Sequence, residues 1–280
     1  MRFEIVTIFP GFFAGFFENG ILSRALAKEL VTVGVHDLRA FTHDRHRTVD
    51  DRPFGGGEGM VLKPGPLAEA MAALGIAPKG GVSEAAGLPE GEARRTRVIL
   101  LSAQGRPFTQ ALARELAGEE RLVFICGRYE GVDERINQLY CDMELSIGDY
   151  VLSGGELAAA VVVDAVTRLM PGALGNEASS EFESFGVADA AITTDEEGVP
   201  RSQHGAGGLL DYPHFTRPAE FGGLKVPETL LNGDHKEIRK WRREQQLRKT
   251  LVNRPDLLAG AVLSKEDQKI LEAIRGDIVP

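Results

Sequence analysis

Cysteine is scarce: the 280 residues hold two, Cys126 and Cys141, which form no CxxC pair and sit near no pattern of metal ligands. That excludes a zinc ribbon or a disulfide framework and leaves two ordinary buried thiols in a reducing compartment. Long apolar runs are missing too, and nothing approaches the roughly 20 residues that span a bilayer. The start, MRFEIVTIFPGFF, carries an acid within its apolar stretch and no small-residue cleavage pattern, so a cytoplasmic chain is expected. Nucleotide fingerprints are absent around the glycine-rich segment SIGDYVLSGGE (146 to 156), where neither GxGxxG nor GxxxxGKS/T can be read. A Rossmann or P-loop site is excluded there.

Positive charge is in the minority, 32 Lys and Arg against 41 Asp and Glu, for a formal net charge of -9. Phosphate contacts need Lys and Arg, so the average argues against a nucleic-acid partner. The charge is segregated, however. From Asp234 to Lys249 seven Lys or Arg face three acids, whereas Glu181 to Glu197 holds six acids and no base. The chain has a basic end and an acidic middle.

A hydrophobic content of 43% over this length supports a sizeable core in one large or two smaller domains. The first 175 or so residues alternate strand-like and helix-like segments: FEIVTIF (3 to 9), a helical stretch around Phe12 to Leu30, then VTVGVHDL (31 to 38). Pro64 to Leu74 reads as a helix begun by proline, and Gly75 to Arg95 as a surface loop. RVILLSA (97 to 103), RLVFIC (121 to 126) and MELSI (143 to 147) are short and mostly apolar, as buried parallel strands are. An α/β domain is predicted.

Each of those three strands runs into a turn with glycine, SAQGR, CGRYEG and SIGDYVLSGGE. In an open parallel sheet, ligands sit beyond the carboxyl ends of the strands, so the three turns are expected to line one crevice. Asp149 and Glu156 with no Lys or Arg in the last of them favour a neutral or cationic ligand over a phosphate. A second loop, FTHDRHRTVDDRPFGGGEGM (41 to 60), mixes His, Arg and Asp with glycines. His43 and His46 with Asp44 or Asp50 could hold a metal, but no second cluster completes the coordination and no metal ligand is assigned. Arg45, Arg47 and Arg52 beside the exposed amides of GGGEG suit a nucleotide instead.

Beyond the helix Glu156 to Met170, residues 176 to 210 are acidic and poor in large apolar side chains, and read as a flexible linker. Residues 211 to 280 read as a small helical domain, with one helix from about Asp234 to Leu251 capped by Asp234 and another from about Ser264 to Arg275 capped by Ser264. Lys236, Arg239, Lys240 and Arg243 follow i, i+3, i+4, i+7 spacing and are predicted to share a face suited to an RNA backbone.

THDRHRTVDDRPFGGGEGM (42 to 60), CGRYEGVDER (126 to 135), SIGDYVLSGGE, DYPHFTRP (211 to 218) and EIRKWRREQQL (237 to 247) together resemble, in order, the TrmD family of bacterial tRNA (guanine-N1)-methyltransferases, which modify guanosine 37 beside the anticodon. The resemblance runs nearly end to end; only about 77 to 95 and about 187 to 206 fall outside it. It implies an α/β SPOUT domain with a deep trefoil knot over 1 to 175, the linker, and a helical tRNA-binding domain over 211 to 280. It also implies an obligate homodimer with a shared active site and no membrane partner. Its methyl donor is S-adenosylmethionine, whose sulfonium is cationic and which carries no phosphate.

Carried over residue by residue, the resemblance places Gly127 and Ile147, Gly148, Asp149, Tyr150, Val151 and Leu152 on the donor, with Leu101, Gln104, Tyr129, Glu130, Gly131, Gly154 and Gly155 around it. His43, Arg45, His46, Arg52 and Gly59 fall near the target nucleotide, and Lys236, Arg239 and Arg243 on tRNA phosphates. The family's catalytic arginine maps to Arg168. Its linker aspartate maps to Glu183, which carries the same carboxylate on a longer stem, with Asp189 as the alternative base. A Mg²⁺ requirement cannot be assigned to residues. The missing aspartate is the best argument for the rival reading, a SPOUT-like tRNA-binding protein without catalysis; a methyltransferase for ribose hydroxyls or ribosomal RNA would lack both GGGEGM and the helical tail.

Overall fold

A computed structural model of the chain describes residues 1–80, 96–176, 179–186 and 205–278. Residues 81–95 of the expected surface loop, most of the acidic insertion and Asp189 lie outside these residues. The chain forms two compact units, Met1–Gly175 and Asn176–Pro280.

In the first unit five strands, β1 (Arg2–Thr7), β2 (Thr32–Asp37), β5 (Thr96–Pro107), β6 (Arg121–Cys126) and β7 (Met143–Ser146), make a parallel sheet ordered β2-β1-β6-β5-β7. Strand alternation divides the core in two. Phe3, Ile5, Leu122, Phe124 and Ile99 face α1 (Gly20–Ala27), α3 (Gln110–Ala117) and α5 (Glu156–Thr167), while Val6, Val123, Ile125, Val98 and Leu100 face α2 (Pro64–Ala73) and α4 (Glu134–Tyr140). Both faces of the sheet are covered, which is why its strands read as near-continuous apolar runs. A short ribbon of β3 (Asp50–Asp51) and β4 (Val61–Leu62) brackets the glycine loop.

Two sequence expectations change here. The helical stretch around Phe12 to Leu30 is α-helical only from Gly20; before it come two 3-10 turns, Pro10–Phe13 and Phe16–Glu18, whose phenylalanines pack on one another, with Phe13 and Phe17 stacked at 5.8 Å. β5 also runs past Ala103 to Pro107, because a bulge lets both Leu101 and Arg106 oppose Leu145 of β7.

The second unit holds α6 (Ser179–Phe182), a hairpin of β8 (Glu220–Phe221) and β9 (Leu224–Lys225), and the helices α7 (His235–Asn253), α8 (Asp256–Ala259) and α9 (Lys265–Ile278). The predicted caps form. Asp234 accepts the N–H groups of Lys236 and Glu237 at 2.9 and 3.2 Å, and Ser264 with Asp267 closes a reciprocal box at 3.0 and 3.1 Å.

The shared basic face on α7 needs correction. Arg243 is 5% exposed and its guanidinium grips Asp267 of α9 at 2.7 and 3.1 Å. Further along, the same azimuth carries the buried Gln246, Leu247 and Thr250. That stripe is the packing face of the helix; of the basic pattern, Lys236 and Lys240 are exposed and Arg239 is half-buried. Helical spacing places residues on a face without saying whether the face meets solvent.

Candidate functional site

Residues 100–104 of β5 and the glycine turns after β6 and β7 enclose a cavity of about 390 Å³; the expected SAQGR turn is instead extended strand inside β5. Of the residues placed around the methyl donor by resemblance, all but Asp149 line it; Asp149 is exposed. The turns are held by their own backbone. Gly155 donates to the Gly127 carbonyl at 2.9 Å, and a Cβ at Gly155 would come within 2.8 Å of the Cys126 Cα, so only glycine lets the start of α5 approach β6 this closely. Ser146 Oγ accepts the Gly148 N–H at 3.2 Å, and the Tyr150 hydroxyl donates to the Ile147 carbonyl at 3.3 Å.

Charge in the cavity is set by a buried network that sequence reasoning missed. Glu156, 1% exposed, accepts from the Thr7 hydroxyl at 2.6 Å and from Arg128 Nε at 3.0 Å. Arg128 also donates to the Ser153 carbonyl at 3.0 Å and lies over the Phe9 ring at 4.5 Å. Its charge is therefore neutralised within the wall. Glu130, Glu134 and Glu144, which also line the space, leave it suited to a cation and hostile to a phosphate. Local spacing could not have paired Arg128 with Glu156; the signal available was that both lie inside glycine motifs.

Both cysteines lie in this unit, free and buried. Desolvation pushes the Cys126 thiol well above its ordinary value and Cys141 up to about 12, so neither offers a thiolate near neutral pH.

The 41 to 60 loop adjoins the cavity directly. Glu130 N–H donates to the Met60 carbonyl at 3.0 Å, Leu62 N–H to Gly131 at 3.0 Å, and Leu62 pairs with Val132. Gly59, at φ +79, tucks against Glu130, whose Oε1 would lie 2.4 Å from a Cβ there. Arg45, His46, Arg52 and Gly59 are exposed, and Phe54 at the tip is 99% exposed. His43 is bonded to Glu69 at 2.7 Å. Asp44 ties its own turn, and the Thr48 N–H at 2.9 Å is foremost in holding its carboxyl below the usual range. These partners, rather than a metal, occupy the groups of the His43–Asp44 reading, and among the described residues no three His, Cys, Asp or Glu could hold an ion.

Arg168 ends α5, half-buried, in the first unit. Glu183 belongs to the second, just after α6 and half-buried. The turn around it is pinned: Gly186 N–H donates to the Glu183 carbonyl at 2.8 Å, Phe185 at φ +62 donates to Leu209 at 2.8 Å, and Asp211 N–H donates to Ser184 Oγ at 2.9 Å. Among the described residues no helix is long and apolar enough to cross a membrane.

Residues 1–260 match the family model described as tRNA (Guanine-1)-methyltransferase TrmD. A protein of Koribacter versatilis is 54% identical over 275 residues, covering 98% of both chains. One of Dehalococcoides mccartyi is 45% identical over 280 residues, 100% of this chain and 99% of that one, and one of Geotalea uraniireducens is 47% identical over 275 residues, 98% and 97%. Each carries the name tRNA (guanine-N(1)-)-methyltransferase.

Proposed function

The chain belongs to the tRNA (guanine-N1)-methyltransferase family, and from that premise we propose that it methylates N1 of guanosine 37 in tRNA, with S-adenosylmethionine as donor. The observation that carries this reading is the junction at Met60 and Glu130, which sets an acid-lined cavity against an exposed loop rich in Arg and Gly. The cavity fits the donor by volume, by its carboxylates and by the closeness of its backbone groups. When bound, the donor supplies an activated methyl group on a cationic sulfonium.

The chain's residues supply the rest. Leu101, Gln104, Gly127, Tyr129 to Gly131, Ile147 to Leu152, Gly154 and Gly155 surround the donor, with Asp149 outermost. His43, Arg45, His46, Arg52 and Gly59 receive the target nucleotide. Glu183 accepts the proton from N1, and Arg168 steadies the charge that develops on O6. Lys236, Arg239 and Lys240 meet tRNA phosphates; Arg243 does not, because Asp267 holds it inside.

The protein works in the cytoplasm as a homodimer, each knot crevice served by the partner's linker. Support for pairing comes from Leu157 and Val161, exposed apolar residues one turn apart on α5.

The test incubates the protein with labelled S-adenosylmethionine and tRNA transcripts bearing G or A at position 37. The expected result is 1-methylguanosine in the first transcript and no label in the second. Binding without transfer would favour the non-catalytic reading, and transfer indifferent to G37 another methyltransferase.

Reversing Lys236, Arg239 and Lys240 to Glu is expected to weaken tRNA binding and to flatten the plot of log affinity against log salt by about 0.7–0.9 per lost phosphate contact. An unchanged slope assigns those side chains to solvent alone.

A further inference from the structure

The DYPHFTRP segment has no task in the reaction above, yet it builds a second cavity of about 390 Å³ inside the Asn176–Pro280 unit. One wall is the α7 stripe Ile238, Trp241 and Arg242, spaced i, i+3, i+4; Tyr212, Phe215 and Arg217 contribute the other. The Phe215 and Trp241 ring centroids are 6.1 Å apart at 59°, tilted rather than stacked. The Arg242 guanidinium lies 4.8 Å from the Tyr212 ring centre, fixing a flat cation in the wall.

Two arginines line this space and no carboxylate does, the reverse of the acid-lined cavity beside β7. Its volume falls within the range of about 300–1,000 Å³ typical of small-ligand sites. Aromatic faces with adjacent arginines are what an unstacked base and its phosphate require, and single-stranded RNA is read in this way.

We propose that this cavity receives one unpaired nucleobase of the tRNA, its ring against Phe215 and Trp241 and its phosphate beside Arg217. The inference rests on the reading of tRNA as substrate and adds a contact separate from the methylated guanosine.

Trp241 is the chain's single tryptophan, so its emission reports on the cavity without labelling. The full chain is titrated with tRNA transcript while emission and filter retention are followed together. Emission is expected to change saturably with the same midpoint as retention. Phe215→Ala, at a position 48% exposed, weakens tRNA binding roughly tenfold and Phe215→Tyr restores it. Retention with unchanged emission, together with a Phe215→Ala variant that binds like the parent, overturns the cavity assignment and leaves the proposed function standing. Failure of the parent chain to bind tRNA at all overturns both. An emission change that follows protein concentration without RNA assigns the cavity to a second copy of the chain and also overturns the proposal.

Discussion

Glu183→Gln lowers the rate of methyl transfer by about 100- to 10,000-fold, the usual contribution of a positioned general base, and leaves S-adenosylmethionine affinity nearly intact. The amide keeps the size and shape of the side chain but cannot accept the N1 proton. The turn that carries it is held through main-chain hydrogen bonds from Phe185 and Gly186 and through Ser184. Single-turnover kinetics with labelled donor, beside equilibrium binding of the donor, separates chemistry from affinity. Turnover within a few-fold of the parent removes Glu183 as base and moves the role to Asp189.

The second large effect is on stability. Arg243→Ala strips the buried Asp267 of its counter-charge and is expected to cost about 3–5 kcal/mol, measured by urea unfolding. Replacing both partners by apolar residues of similar volume recovers much of that loss, since no unpaired charge remains. The pH dependence has a definite sign. Burial opposes ionisation of Asp267, but its hydrogen bonds with Arg243 and the Ser264 amide outweigh that, and the carboxyl sits below its ordinary value. A depressed folded pKa means the stabilisation is complete above the unfolded value of about 3.9 and fades as pH falls through the folded one. The parent and Arg243→Ala stabilities therefore converge in acid, and a constant gap down to pH 2 would show that the loss does not come from the ionised pair.

Local pattern was enough for the parallel strands, the helix caps and the glycine turns after β6 and β7, because burial on both faces, cap chemistry and tight turns each leave a mark within a few residues of sequence; SAQGR, expected as a third turn, is extended strand in β5. It failed where the cause lies far along the chain. Arg243 sits in an unbroken basic spacing and turns inward only because Asp267 of α9 stands opposite. Arg128 and Glu156 are 28 residues apart, and the buried Glu4 meets Arg121 at a separation of 117. β5 runs on only because a bulge beside β7 permits it. The candidate site was legible as loops, whereas its charge balance was not, since that depends on which carboxylates the wall arginine neutralises.

The peptide hydrogen bond from Glu130 to Met60 has a thermodynamic meaning of its own. With the Leu62 N–H bond to Gly131, it ties the 41 to 60 loop to the 126 to 131 turn, so a displacement of one is passed to the other. Reciprocity then fixes the converse: whatever factor the first ligand adds to the affinity of the second, the second returns to the first. Under the proposed reaction, coupling between the methyl donor and the nucleotide acceptor across this strip of main-chain contacts is therefore reciprocal.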